Sequence, residues 1–123
     1  MPKPNPTIAI VAGEHSGANL GVSLIKELKN KYPGAKFVGI GDQKMIAEGL
    51  IPLFPIEKLS VIGVVNVLKK LPQFIKLKND LVKQLLDLKI DLFIGIDAPD
   101  FNLVVAKKIK DYSQKNDLNI KTI

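Results

Sequence analysis

The sequence has no cysteine, no tryptophan and no arginine, and only one histidine, His15. Without cysteine there is no disulfide, and one histidine is too few to assemble a Cys/His zinc site within the chain. All 18 basic residues are lysines. The bidentate reading of guanine edges is mainly arginine chemistry, so the sequence points away from nucleic acid as a partner. Long apolar runs are missing too: the longest, Leu59 to Leu68, is broken by Ser60 and Asn66 and falls far short of the ~18–20 residues that cross a bilayer. At the start, Met1 to Pro6 holds three prolines and one lysine, and Ile8 to Ala12 is short for a signal-peptide core. The expectation is a cytoplasmic chain that is neither secreted nor membrane-spanning.

What remains is an ordinary globular composition. The 123 residues are 46% hydrophobic and 24% charged, which suits one folded domain over 1–123 and leaves no room for a second. The net charge of +6 admits a phosphorylated substrate, an anionic membrane surface or nucleic acid. The codon bias of an A/T-rich genome would produce the same lysine excess.

Along the chain, strand and helix patterns alternate. Thr7 to Ala12 is a β-branched run ending at Gly13, and reads as a buried strand. The loop from Gly13 to Gly17 opens a helix to about Tyr32 with Leu20, Leu24, Ile25 and Leu28 on its apolar stripe, stopped by Pro33-Gly34. Lys36 to Ile40 is a second strand. Gly41 to Gly49 reads as a loop with one helical turn, and Ile51 to Phe54 as a short edge strand. Glu57 to Leu88 is helical in two pieces joined at Leu71-Pro72, the second directing Ile75, Leu81, Val82, Leu85 and Leu86 to a core. Asp91 to Ile96 is a strand, Phe101 or Asn102 to Asn116 an amphipathic helix, and Asn119 begins another strand. This alternation predicts an α/β fold, a doubly wound parallel sheet, with ligands outside the carboxyl ends of the strands. The loops after Ala12, Ile40 and Ile96 then surround one crevice.

Two segments offer chemistry there. The amides of Gly13 to Gly21 could hold an anion or a sugar hydroxyl at a helix N-terminus; equally, Gly13 and Gly17 could only form a tight turn with Ser16 as cap. In Ile96-Asp97-Ala98-Pro99-Asp100-Phe101-Asn102, Asp97 follows an apolar strand directly, the place of a general base given partial burial. Asp100, just ahead of a helix, has a structural alternative as its N-cap. His15 lies in the crevice loop with no second group placed by the sequence to orient it.

Together these residues resemble the lipid-A-disaccharide synthase family, whose motif after the first strand is close to A-G-E-x-S-G-D-x-L-G. Here it reads Ala12-Gly13-Glu14-His15-Ser16-Gly17-Ala18-Asn19-Leu20-Gly21. The resemblance runs on through Phe37-Val38-Gly39, Met45, Ala47-Glu48-Gly49, Ser60-Val61-Ile62-Gly63, Val67-Leu68 and Gly95 to Asn102. It implies the N-terminal, acceptor-side Rossmann-like domain of a two-domain, B-type glycosyltransferase. That enzyme joins UDP-activated 2,3-diacylglucosamine to 2,3-diacylglucosamine 1-phosphate with inversion, needing no metal or cofactor. By the same resemblance Asp97 is the general base, and Gly13, Glu14, Ser16, Gly17, Asp100 and Asn102 bind substrate. The family pattern departs at Ala18, usually acidic, at Asp42-Gln43, usually glycine-proline, and at Asn66, usually glutamate. The loss of an acid at Ala18 would take an acceptor from the crevice loop, and Asp42 would add a charge where a glycine would let substrate or backbone approach.

Family members are peripheral inner-membrane proteins. A ridge of Val61, Ile62, Val64, Val65, Val67, Leu68, Leu71 and Phe74, flanked by Lys69, Lys70, Lys76 and Lys78, suits contact with anionic lipid. A separate C-terminal half holding the UDP-sugar would be the chain's partner. Two other readings stand beside the enzyme: a non-catalytic sugar-phosphate or membrane-binding module, and a gene remnant.

Overall fold

The computed structural model describes residues 5–13, 15–59, 67–97, 99–116 and 120–122, with the backbone alone at 15, 16, 67–71, 99 and 100. The described strands are β1 (Thr7–Ala12), β2 (Lys36–Ile40), β3 (Leu50–Pro52), β4 (Leu92–Ile96) and β5 (Lys121–Thr122). The helices are α1 (His15–Lys31), α2 (Gln43–Ala47), α3 (Val67–Asp87) and α4 (Pro99–Lys115), with a further helical turn at 56–59. All strand pairs are parallel, in the order β3-β2-β1-β4-β5, and Ile10 at the centre is flanked by Gly39 and Ile94.

The strands are apolar throughout because both faces of the sheet are covered. Ile8, Ile10 and Ala12 of β1 pack with Ala18 and Ile25 of α1, Met45 of α2 and Ile94 and Ile96 of β4. The alternate residues, Ala9 and Val11, turn to the other face and meet Phe93 of β4, Leu77, Leu81 and Leu85 of α3, and Phe101, Val105 and Ile109 of α4. Helices thus lie on both faces, the doubly wound Rossmann-like architecture that the alternation of elements predicts. From β1 the chain winds outward through β2 to β3, then returns by α3 to β4 on the other side of β1. The sheet reverses its winding between β1 and β4, where α/β folds bind their ligands.

Several expectations need correction. Leu20 is 62% exposed, because the inward stripe of α1 follows Ala18, Gly21 and Ile25, and Leu20, two residues after Ala18 and one before Gly21, lies off it. Ile75 is 43% exposed for the same reason, two residues ahead of the buried series Leu77, Leu81, Leu85. The helix does not divide at Leu71-Pro72: α3 runs through Pro72. Proline there has no N–H for the carbonyl of Leu68, but burial of the following three leucines holds the helix together. Phe74 does not belong to an outward ridge. Its ring meets that of Phe101 edge to face, 5.5 Å between centroids and 84° between planes, a favoured aromatic geometry.

Candidate active site at the sheet reversal

The carboxyl ends of β1 and β4 are tied together beyond their ladder. Gly13 N–H donates to the Ile96 carbonyl at 3.0 Å, so the loop after β1 is held against the end of β4. α1 begins at His15 and α4 at Pro99, and both helix N-termini therefore open on the gap where the winding reverses.

Asp97 stands at the centre. It directly follows β4 and its backbone is left-handed, with φ at 56°, a conformation that costs a non-glycine residue about 1–2 kcal/mol. Its side chain is exposed, so the described residues do not supply the burial expected of a base. The carboxylate lies over Gly17 in the first turn of α1: a Cβ on Gly17 would come within 2.9 Å of Ile96 Cγ2 and 3.2 Å of Asp97 Cγ. Glycine at this position leaves the space that the carboxylate occupies.

Asn102, on the second turn of α4, is only 6% exposed. Its Nδ2 donates to the carbonyl of Asp97 at 2.6 Å, with the carbonyls of Val11 and Ile96 at 3.3 and 3.4 Å. Its Oδ1 has no hydrogen-bond partner among the described residues. Asn102, expected to bind substrate, thus turns its donors to backbone. Asp100 lies inside α4 and is no N-cap, because the helix begins two or three residues earlier than its apolar pattern suggested; Pro99 suits a first helical position and an acidic residue suits the first turn. Ser16 is likewise already helical and does not cap α1. Glu14 is outside the described residues, as are Val65 and the rest of 60–66, Asn66 included.

Two of the family departures also find places. Ala18 is fully buried in the α1 core and takes no part in the crevice loop. Asp42, 9% exposed, is the N-cap of α2, its Oδ1 accepting from Lys44 N at 3.0 Å and Met45 N at 3.2 Å. The added carboxylate has a local structural duty. A cleft of about 330 Å³ lined by Asp42, Ile46, Leu53, Phe54, Ile56 and neighbours lies beside the ends of β2 and β3; Asp97 does not line it. Among the described residues no three Asp, Glu, His or Cys side chains gather as a metal-ligand set.

A family model described as lipid-A-disaccharide synthetase matches residues 8–123, which include every residue of this site. The chain belongs to the lipid-A-disaccharide synthase family. Proteins named lipid-A-disaccharide synthase are similar to it: one from Mannheimia succiniciproducens is 55% identical over 88% of the chain, and one from Alcanivorax borkumensis 46% identical over 92%. A third, from Haemophilus influenzae strain Rd, is 51% identical over 89% of the chain. The chain spans 27%, 30% and 28% of their respective lengths. The family motifs thus converge on the sheet reversal: Gly13 and Gly17 from one block, Gly95, Asp97 and Asn102 from the other. The glycines and Asp97 stood out in the sequence by their place after apolar strands. The contact of Asn102 with two strand ends left no such mark, since it bridges residues 91 positions apart.

Proposed function

We propose that the chain is the N-terminal, acceptor-side domain of a lipid-A-disaccharide synthase, transferring 2,3-diacylglucosamine from its UDP derivative to 2,3-diacylglucosamine 1-phosphate. The observation that carries this reading is Asp97, a carboxylate held in a left-handed bend at the sheet reversal and open to a ligand. In the reaction the Asp97 carboxylate takes the proton of the acceptor 6-hydroxyl as its oxygen attacks the anomeric carbon of the donor. The bond from that carbon to the diphosphate breaks, UDP leaves with the electron pair, and one in-line displacement inverts the centre into a β-1,6 linkage. No metal or cofactor is needed. Gly13, Ser16 and Gly17 offer backbone amides to the acceptor at the N-terminus of α1, and Glu14 and Asp100 join them as acceptor-binding residues. The UDP-sugar is held by the part of the family's length that this chain does not span, which also covers Asp97 and excludes water from it.

The test is a transfer assay on this chain alone and together with the remaining segment of a family member. Disaccharide should form only in the second case; turnover by the chain alone would overturn the division of labour. We further propose that the enzyme works at the cytoplasmic surface of the inner membrane, where its acylated substrates reside, through Val65, Val67, Leu68 and Leu71 with Lys69 and Lys70. No helix among the described residues is long and apolar enough to cross a membrane, and the contact proposed is a peripheral one.

A further inference from the structure

We propose that Asn102 is a positioning residue that holds Asp97 in its reactive geometry, an inference that rests on the role of Asp97 given above. Three carbonyl oxygens surround the side-chain amide of Asn102, from Val11 at the end of β1 and from Ile96 and Asp97 at the end of β4. Carbonyls only accept, so the amide nitrogen must face them, and two hydrogens serve three oxygens with one shared. The shortest bond, 2.6 Å, goes to Asp97 itself, the residue whose φ of 56° has no glycine to ease it. A left-handed aspartate persists only where its surroundings fix it. Asn102 is the described side chain that grips its carbonyl.

The grip has a built seat. Asn102 lies across Gly95 of β4, where an added Cβ would stand 2.8 Å from both Cβ and Cγ of Asn102 and 3.1 Å from Nδ2. On the other side Gly17 leaves room for the Asp97 carboxylate. Glycine on β4 admits the amide, the amide fixes the bend, and glycine on α1 accepts the carboxylate that the bend delivers. Oδ1 takes no part, having no partner among the described residues, so the function lies in the donor half of the amide. An isosteric aspartate, which cannot donate when ionised, removes that half alone.

The experiment uses a full-length family member carrying this chain in place of its matching segment. Asn102→Asp should lower kcat by about 10–100-fold with KM for both substrates within about twofold, a loss confined to the transition state. Combined with Asp97→Asn it should add less than about threefold, because a residue acting only through Asp97 has nothing left to position. Losses that multiply, or an unchanged kcat, would overturn the proposal. If Asn102→Asp does not fold, Asn102→Ala, which likewise has no donor, is read in the same way, and unfolding of both makes Asn102 a fold residue and overturns the proposal too. Crystal structures of the 123-residue chain separate this idea from the general-base reading. Asn102→Asp should release Asp97 from the left-handed region even if Asp97→Asn proves harmless to kcat; a bend that stays in place refutes the clamp while leaving the base intact.

Discussion

Asp97 and Asp100 are three residues apart and chemically identical, yet the fold gives them different work. Asp97 ends a strand in a left-handed bend, whereas Asp100 stands in the first turn of α4. In a full-length protein Asp97→Asn should cut the transfer rate by about 10²–10⁴-fold, the usual share of general acid–base catalysis. Asp100→Asn should cost far less, since asparagine is also accepted in a first helical turn; equal losses at both positions would sink the assignment. Gly17→Ala is a sharper probe of the same geometry, because its methyl group would crowd Ile96 and the Asp97 carboxylate. Overpacking of this kind costs about 1–3 kcal/mol, and urea titration of the chain should show it. Wild-type stability in that variant would mean that the carboxylate moves aside without resistance. The sequence marks Asp97 and Gly17 as notable by their place after apolar strands, but of the two readings open for the glycine, an amide that holds an anion or a tight turn, neither includes the room it leaves for the carboxylate.

At the scale of elements, strands were the most legible part, because parallel strands covered on both faces read as unbroken apolar runs. β1 and β2 fall on Thr7–Ala12 and Lys36–Ile40 as the pattern predicts, and β4 differs by one residue. Helix faces were less legible. Leu20 and Ile75 are apolar, so a count of hydrophobic residues draws them inward, while the packing stripes of α1 and α3 pass them by. Pro72 misled in the other direction, since a local rule against proline yields to the burial of Leu77, Leu81 and Leu85. Asp42 was legible only as an oddity against the family's glycine, and its structural meaning is the cap of α2. Asp42→Ala should cost about 1 kcal/mol, and Asp42→Gly only a few tenths. Denaturant midpoints of the two variants check this, and equal losses would show that the carboxylate does more than cap.

At the scale of the whole molecule, the proposed acylated substrates raise the question of how the end of the sheet that carries Asp97 would meet a membrane surface. α3 returns the chain from β3 to β4, and its N-terminal end therefore lies on the same side of the sheet as the strand ends and Asp97. The sequence places Val65, Val67, Leu68 and Leu71 at or just before that end, with Lys69 and Lys70 among them and the exposed Lys76 beyond. Phe74, packed against Phe101, is not part of this proposed ridge. Apolar insertion near the site would bring the crevice to the depth at which acylated sugars lie, and each lysine near an anionic surface adds about 1 kcal/mol. Changing Val65, Val67, Leu68 and Leu71 together to serine should abolish sedimentation with anionic liposomes and leave the circular dichroism spectrum unchanged. The electrostatic share should appear separately: raising salt shortens the screening length from about 10 Å at 0.1 M to about 3 Å at 1 M, so wild-type sedimentation should weaken but persist. Loss of helical signal in the serine variant would show that these side chains are core, and would move the lipid contact elsewhere.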